Sequence, residues 1–127
     1  MRRLALTLIA LTVALALATG AGAAVHRGSL RITYWAHGSE GTSTTWTLRC
    51  GTAISGTHPA RRLACSALAK HAVDLTGPAR PCALLPSLRS PRAKVTGTWA
   101  GRRVSRTFRS GCPGWSDLKV LLTGKAS

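Results

Sequence analysis

The sequence predicts an α+β fold: an antiparallel β-sheet packed with one main helix and tied by two disulfides. Three observations carry that prediction. Two runs, Ser29 to Trp35 and Thr44 to Cys50, alternate at the strand period, with Leu30, Ile32 and Tyr34 on one face of the first and Trp46, Leu48 and Cys50 on one face of the second. After them comes an Ala- and Leu-rich segment in which Leu63, Ala64, Ala67 and Leu68 fall close to helical spacing. Finally, four cysteines, an even count, stand in a chain of 127 residues whose beginning reads as an export signal.

Met1-Arg2-Arg3, the apolar run from Leu4 to Ala18 and the small residues Ala21-Gly22-Ala23-Ala24 have the three-part layout of a secretory signal peptide. The run is shorter than the ~20 residues a spanning helix needs. Residues 1–24 are therefore expected to be removed, with cleavage after Ala23 or Ala24, leaving one secreted, extracellular domain over 25–127. No repeat and no low-complexity linker divides it.

Along that domain, Ala36 to Thr42 is rich in Gly and Ser and reads as the loop between the first two strands. Pro59 opens the helical segment, which ends near Ala72, with Thr57 or His58 as its cap, so that His58 is expected to be structural. From Gly77 to Pro91 the chain carries Pro78, Pro81, Pro86 and Pro91, which argue against helix or a central strand and for an extended surface loop. Two β-rich runs between Lys94 and Phe108 flank Ala100-Gly101, a hairpin turn, with Val104 and Phe108 as buried anchors of the second. Trp115 to Leu122 fits either a second short helix or a terminal strand.

The composition weighs against catalysis, because the acids are limited to Glu40, Asp74 and Asp117. Paired carboxylates, a Gly-rich phosphate loop and a Gly-x-Ser-x-Gly elbow are all missing from the sequence. There is no Cys-x-x-Cys, and His26, His37, His58 and His71 form no pair at ligand spacing, so neither metal nor cofactor is expected. The four cysteines then read as a disulfide framework, for which three pairings are open. Eighteen Lys and Arg face three acids; without Arg2 and Arg3 the balance is 16 against 3, or +13. Arg61-Arg62, Arg102-Arg103, Arg106 and Arg109 are the densest basic positions, and with four Trp they support one functional reading. In it the chain is a secreted cationic protein that binds polyanions: nucleic acid, cell-wall polymers or membranes. The strand patterns of Trp46 and Trp99 assign those two to the core instead.

The stretch from Cys50 to Leu68 points elsewhere. Gly56-Thr57-His58-Pro59 leads after four residues to Ala64-Cys65-Ser66-Ala67-Leu68, and this resembles the signature of the Streptomyces-type subtilisin inhibitor family. Gly97-Thr98-Trp99-Ala100-Gly101-Arg102-Arg103-Val104-Ser105 is similar to that family's long hairpin, and the resemblance runs from residue 28 to 113. It implies disulfides Cys50 to Cys65 and Cys82 to Cys112, and a homodimer formed through the sheets. It also implies inhibition of a serine endopeptidase, subtilisin-like or chymotrypsin-like, by a substrate-like reactive loop after Cys82. Carried over residue by residue, Leu84 enters the specificity pocket, Leu84-Leu85 is the reactive bond, and Cys82, Ala83 and Pro86 flank it. The chain departs from the family at Thr52, where the signature has Pro, and at Ser66. It departs again in the loop up to Pro91, which is longer than usual and has Ser90-Pro91 in place of Asp-Pro. Pro86 offers no N–H where a substrate-like loop usually donates one. A shifted register would present Arg89-Ser90 to a trypsin-like enzyme.

Overall fold

The structure, a computed structural model, describes residues 27–70, 73–83, 85 and 87–123. The expected signal peptide over 1–24, the expected helix end at Ala72, and Leu84 and Pro86 lie outside the described residues. Four strands form one antiparallel sheet: β1 (Gly28–Trp35), β2 (Ser43–Cys50), β3 (Arg92–Trp99) and β4 (Arg102–Arg109), in the order β2-β1-β3-β4. Two helices, α1 (Arg61–Ala69) and α2 (Trp115–Thr123), pack on one face of it. The segment Trp115 to Leu122, open between helix and strand in the sequence, is a helix.

Strand alternation builds the core. Leu30, Ile32, Leu48, Ala93, Val95, Trp99, Val104 and Phe108 all point from the sheet toward Ala64 and Leu68 of α1 and Leu118, Leu121 and Leu122 of α2. Each large aliphatic side chain buried this way contributes about 1.5 to 3 kcal/mol. Trp99, Val104 and Phe108 are core residues as their patterns require. Trp46 is only half-buried: its ring stacks on Tyr34 and meets the edge of His58 with centroids 5.5 Å apart. Leu63, one of the four expected anchors of the helix, is 39% exposed, because Ala64, Ala67 and Leu68 form the face that packs inward.

The helix begins later than Pro59 because Ala60 is its N-cap, and no side chain caps it there. Thr57 does not serve as a cap, since its hydroxyl accepts from the Thr47 N–H at 2.9 Å and so joins residues 55–58 to the edge of β2. His58 is structural, as expected, and 1% exposed. Its Nδ1 accepts the Ala60 N–H at 3.0 Å, which leaves the ring proton on Nε2 to be donated to the Leu121 carbonyl of α2. One imidazole thereby joins the start of α1 to the end of α2.

Both disulfides form, Cys50 to Cys65 and Cys82 to Cys112, with Cα atoms 5.6 and 5.2 Å apart. The first ties the end of β2 to α1. In the Pro-rich connection, Asp74 accepts the N–H groups of Gly77 and Thr76 at 2.8 and 3.2 Å. The Gly77 hydrogen bond, followed by that of Thr76 and the charges of Arg106 and Arg80, outweighs desolvation and holds this carboxyl below its ordinary pKa.

The hairpin turn falls at Ala100-Gly101, where φ is +51° and +75°. Positive φ at both central positions matches the right-handed twist of the flanking strands, and only Gly101 adopts it without strain.

Candidate functional site: a loop held by two legs

The loop after Cys82 stands on two fixed legs. The first is the disulfide to Cys112, whose own N–H donates to the Arg109 carbonyl at 3.1 Å, so that this leg is fastened to the end of β4. The second is a turn over residues 87–90, closed by the Ser90 N–H donating to the Ser87 carbonyl at 3.1 Å. That turn rests on the connection between β1 and β2. The Ser39 N–H donates to the Leu88 carbonyl at 2.8 Å, and Arg89 Nε donates to Glu40 Oε2 at the same distance. Just beyond, the Pro91 carbonyl accepts the Ser110 N–H at 2.9 Å, closing the loop base beside β4.

Gly38 makes this seat. It has φ +60°, and a Cβ on it would collide with the Leu88 carbonyl oxygen, so that only glycine lets the turn sit this close. The expected loop over 36–42 accordingly contains a short 3-10 turn, Gly38–Glu40, that the sequence reading did not anticipate.

Between the legs Leu85 is 96% exposed. Below it lies a cavity of about 260 Å³, bordered by Leu85, Leu88, Ser39, Ser90 and Arg109. Leu88, 70% exposed, borders the same cavity, so two large apolar side chains stand in water at this end of the domain, a surface open to contact by another molecule. Of the residues that sequence reasoning assigned to the loop, Cys82 and Ala83 belong to the first leg and Leu85 to the exposed span. Leu84 and Pro86 are outside the described residues. Arg89 and Ser90, the shifted register, lie in the hydrogen-bonded turn. Gly38, Ser39 and Glu40 were missed as loop supports; the one hint was that Glu40 is one of only three acids in a strongly basic chain.

Among the described residues there is no group of three or more His, Cys, Asp or Glu placed to hold a metal ion. An exposed apolar side chain between two anchored legs on a disulfide-tied α+β domain is compatible with the class of small protease inhibitors, since such anchors remove much of the ordering cost of binding.

The family comparison agrees with that class. The model of the subtilisin inhibitor-like family matches residues 11–110, and the chain belongs to this family of protease inhibitors. Among solved structures it is similar to sermetstatin of Streptomyces caespitosus, determined in complex with subtilisin of Bacillus licheniformis. The two share 26% identity over 65% of this chain and 82% of that one, with a TM-score of 0.44. No curated protein matches the sequence.

Proposed function

We propose that this chain is a secreted inhibitor of serine endopeptidases of the subtilisin-like or chymotrypsin-like type, acting by substrate-like insertion of the loop after Cys82. The observation that carries the reading is the full exposure of Leu85 between two anchored legs, in a chain of the subtilisin inhibitor-like family. Leu84 fills the primary specificity pocket and Leu84-Leu85 is the bond presented. An apolar residue suits a broad apolar pocket and not an acidic trypsin-like one. The legs keep the ends of a cleaved loop together, so religation competes with release.

The alternative register, Arg89-Ser90, is disfavoured by how those residues are used. A protease takes up its substrate in extended form through free main-chain groups. Here the Ser90 N–H and the Leu88 carbonyl are already engaged, and the Arg89 side chain is paired with Glu40.

The test is a titration of purified, oxidised protein against subtilisin, chymotrypsin and trypsin. Stoichiometric inhibition of the first two and slow nicking at Leu84-Leu85 are expected, and Leu84→Gly should weaken inhibition by a hundredfold or more, about 3 kcal/mol, as for a central anchor of an interface. Preferential inhibition of trypsin, with first cleavage after Arg89, would overturn the assignment.

A further inference from the structure

The turn over residues 87–90 is held by its own polar groups. The Arg89 N–H donates to Ser87 Oγ at 3.3 Å and the Ser90 N–H to the Ser87 carbonyl at 3.1 Å, while the Leu88 carbonyl accepts the Ser39 N–H at 2.8 Å. The Arg89 guanidinium is fastened to Glu40. Both members of that pair are exposed, and an ion pair so open to solvent adds little to the stability of a fold. Its effect is local: it steadies the turn and cancels the charge beside Leu88. What the turn leaves over for another molecule is the apolar side chain of Leu88, 70% exposed on a backbone that is already ordered.

Leu88 and Leu85 are the two most exposed large apolar side chains among the described residues, and they border the same cavity of about 260 Å³. That volume is below the ~300 to 1,000 Å³ usual for a small-molecule pocket, which favours a protein surface as the occupant. Covalent geometry decides which one. Leu88 is three residues past Leu85, so their Cα atoms stand at most about 11 Å apart. A protease that takes up the Leu84-Leu85 bond covers about 800 Å² of the inhibitor, a patch with a radius of about 16 Å. Leu88 therefore falls inside the covered area. A leucine buried there against polar groups would take their water without replacing its hydrogen bonds, so the surface that matches it is apolar.

We propose, resting on the inhibitory reading of this loop, that Leu88 is a second anchor and a specificity-determining residue. It packs on an apolar patch of the protease, on the leaving-group side of the cleft, and enzymes that are polar or charged at that place are inhibited less. Because the turn is ordered before binding, little freedom is lost when the contact forms. Leu88 then acts mainly on how slowly the complex dissociates, as interface residues commonly do.

The experiment reads the contact and its energy separately. Hydroxyl-radical labelling, followed by mass spectrometry, compares the free oxidised protein with its complex with a subtilisin whose catalytic serine has been replaced by alanine. Leu88 should be labelled in the free protein and protected in the complex. Ile54 should be labelled alike in both, because it adjoins Ser55, which pairs with Arg49 near the end of β2, whereas the turn sits on the connection before the start of β2. Leu88→Ser should raise the inhibition constant for subtilisin about tenfold, chiefly through faster dissociation. Leu88→Met, which keeps the volume, should stay within about threefold of the parent, and Ile54→Ser should inhibit like the parent. Equal labelling of Leu88 in the two states would overturn the role given to it and leave the inhibitory reading in place. So would an unchanged inhibition constant for Leu88→Ser alongside a disabled Leu84→Gly. A parent protein that inhibits none of subtilisin, chymotrypsin and trypsin would overturn both.

Discussion

Gly38 shows how much of the site depends on one backbone position remote from it in sequence. Its φ of +60° and the contact with the Leu88 carbonyl leave no room for a methyl group. Gly38→Ala should therefore unseat the second leg while leaving the core intact. The expected result is inhibition weakened about tenfold, equivalent to about 1.4 kcal/mol, with faster proteolysis of the loop and an unfolding midpoint within a few degrees of the parent. An unchanged inhibition constant would mean that the disulfide leg suffices. This dependence was not legible in the sequence, because a glycine in a Gly- and Ser-rich loop gives no sign of which distant carbonyl it faces. His58 was legible in part. Its place before Pro59 marked it as structural, but its bond to the Leu121 carbonyl needed the helix that the sequence left undecided between helix and strand.

At the scale of elements, the strands could be read because β1 and β2 bury one face only, and period-two alternation survives in the residues. The hairpin could be read because its turn carries Ala100-Gly101 at the centre of two β-rich runs. What could not be read was the order β2-β1-β3-β4, since nothing in an alternating run states its neighbours. The placement of the basic residues could not be read for the same reason. Arg61 and Arg62, adjacent in sequence, begin α1 on the helix side, while the cations carried by the sheet come from four separate strands. The Cys82 to Cys112 bridge is the element-scale test of the loop. Cys82→Ser with Cys112→Ser removes a 30-residue closure, which should cost about 3 to 4 kcal/mol on the chain-entropy model. It should also turn the inhibitor into a substrate: subtilisin should be inhibited only briefly and then recover as the loop is consumed. Lasting stoichiometric inhibition by the variant would show that the turn over 87–90 alone organises the loop.

For the whole molecule, a balance of 16 Lys and Arg against 3 acids without Arg2 and Arg3, or +13, means that self-repulsion opposes folding at low ionic strength. Raising NaCl from 20 to 200 mM should raise the unfolding midpoint by roughly 4 to 8 °C if screening relieves about 1 kcal/mol, whereas an equal osmolality of a neutral solute should not. A midpoint insensitive to salt would show that the cations are spaced too far apart to matter. The sheet order also has a consequence in time. β1 is an inner strand: Leu30 faces Leu48 on one side, made soon after it, and Gly97 on the other, made near the end of the domain. As the chain is synthesised from its N-terminus, one flank of β1 has no partner until β3 has been made, and α1, the one helix made before β3, has only half a sheet to cover. Closing so long a loop is slow, and the native pairing is withheld until nearly the last strand. A nascent chain built in this order stays threadable for most of its synthesis and folds late, which suits the export proposed for it.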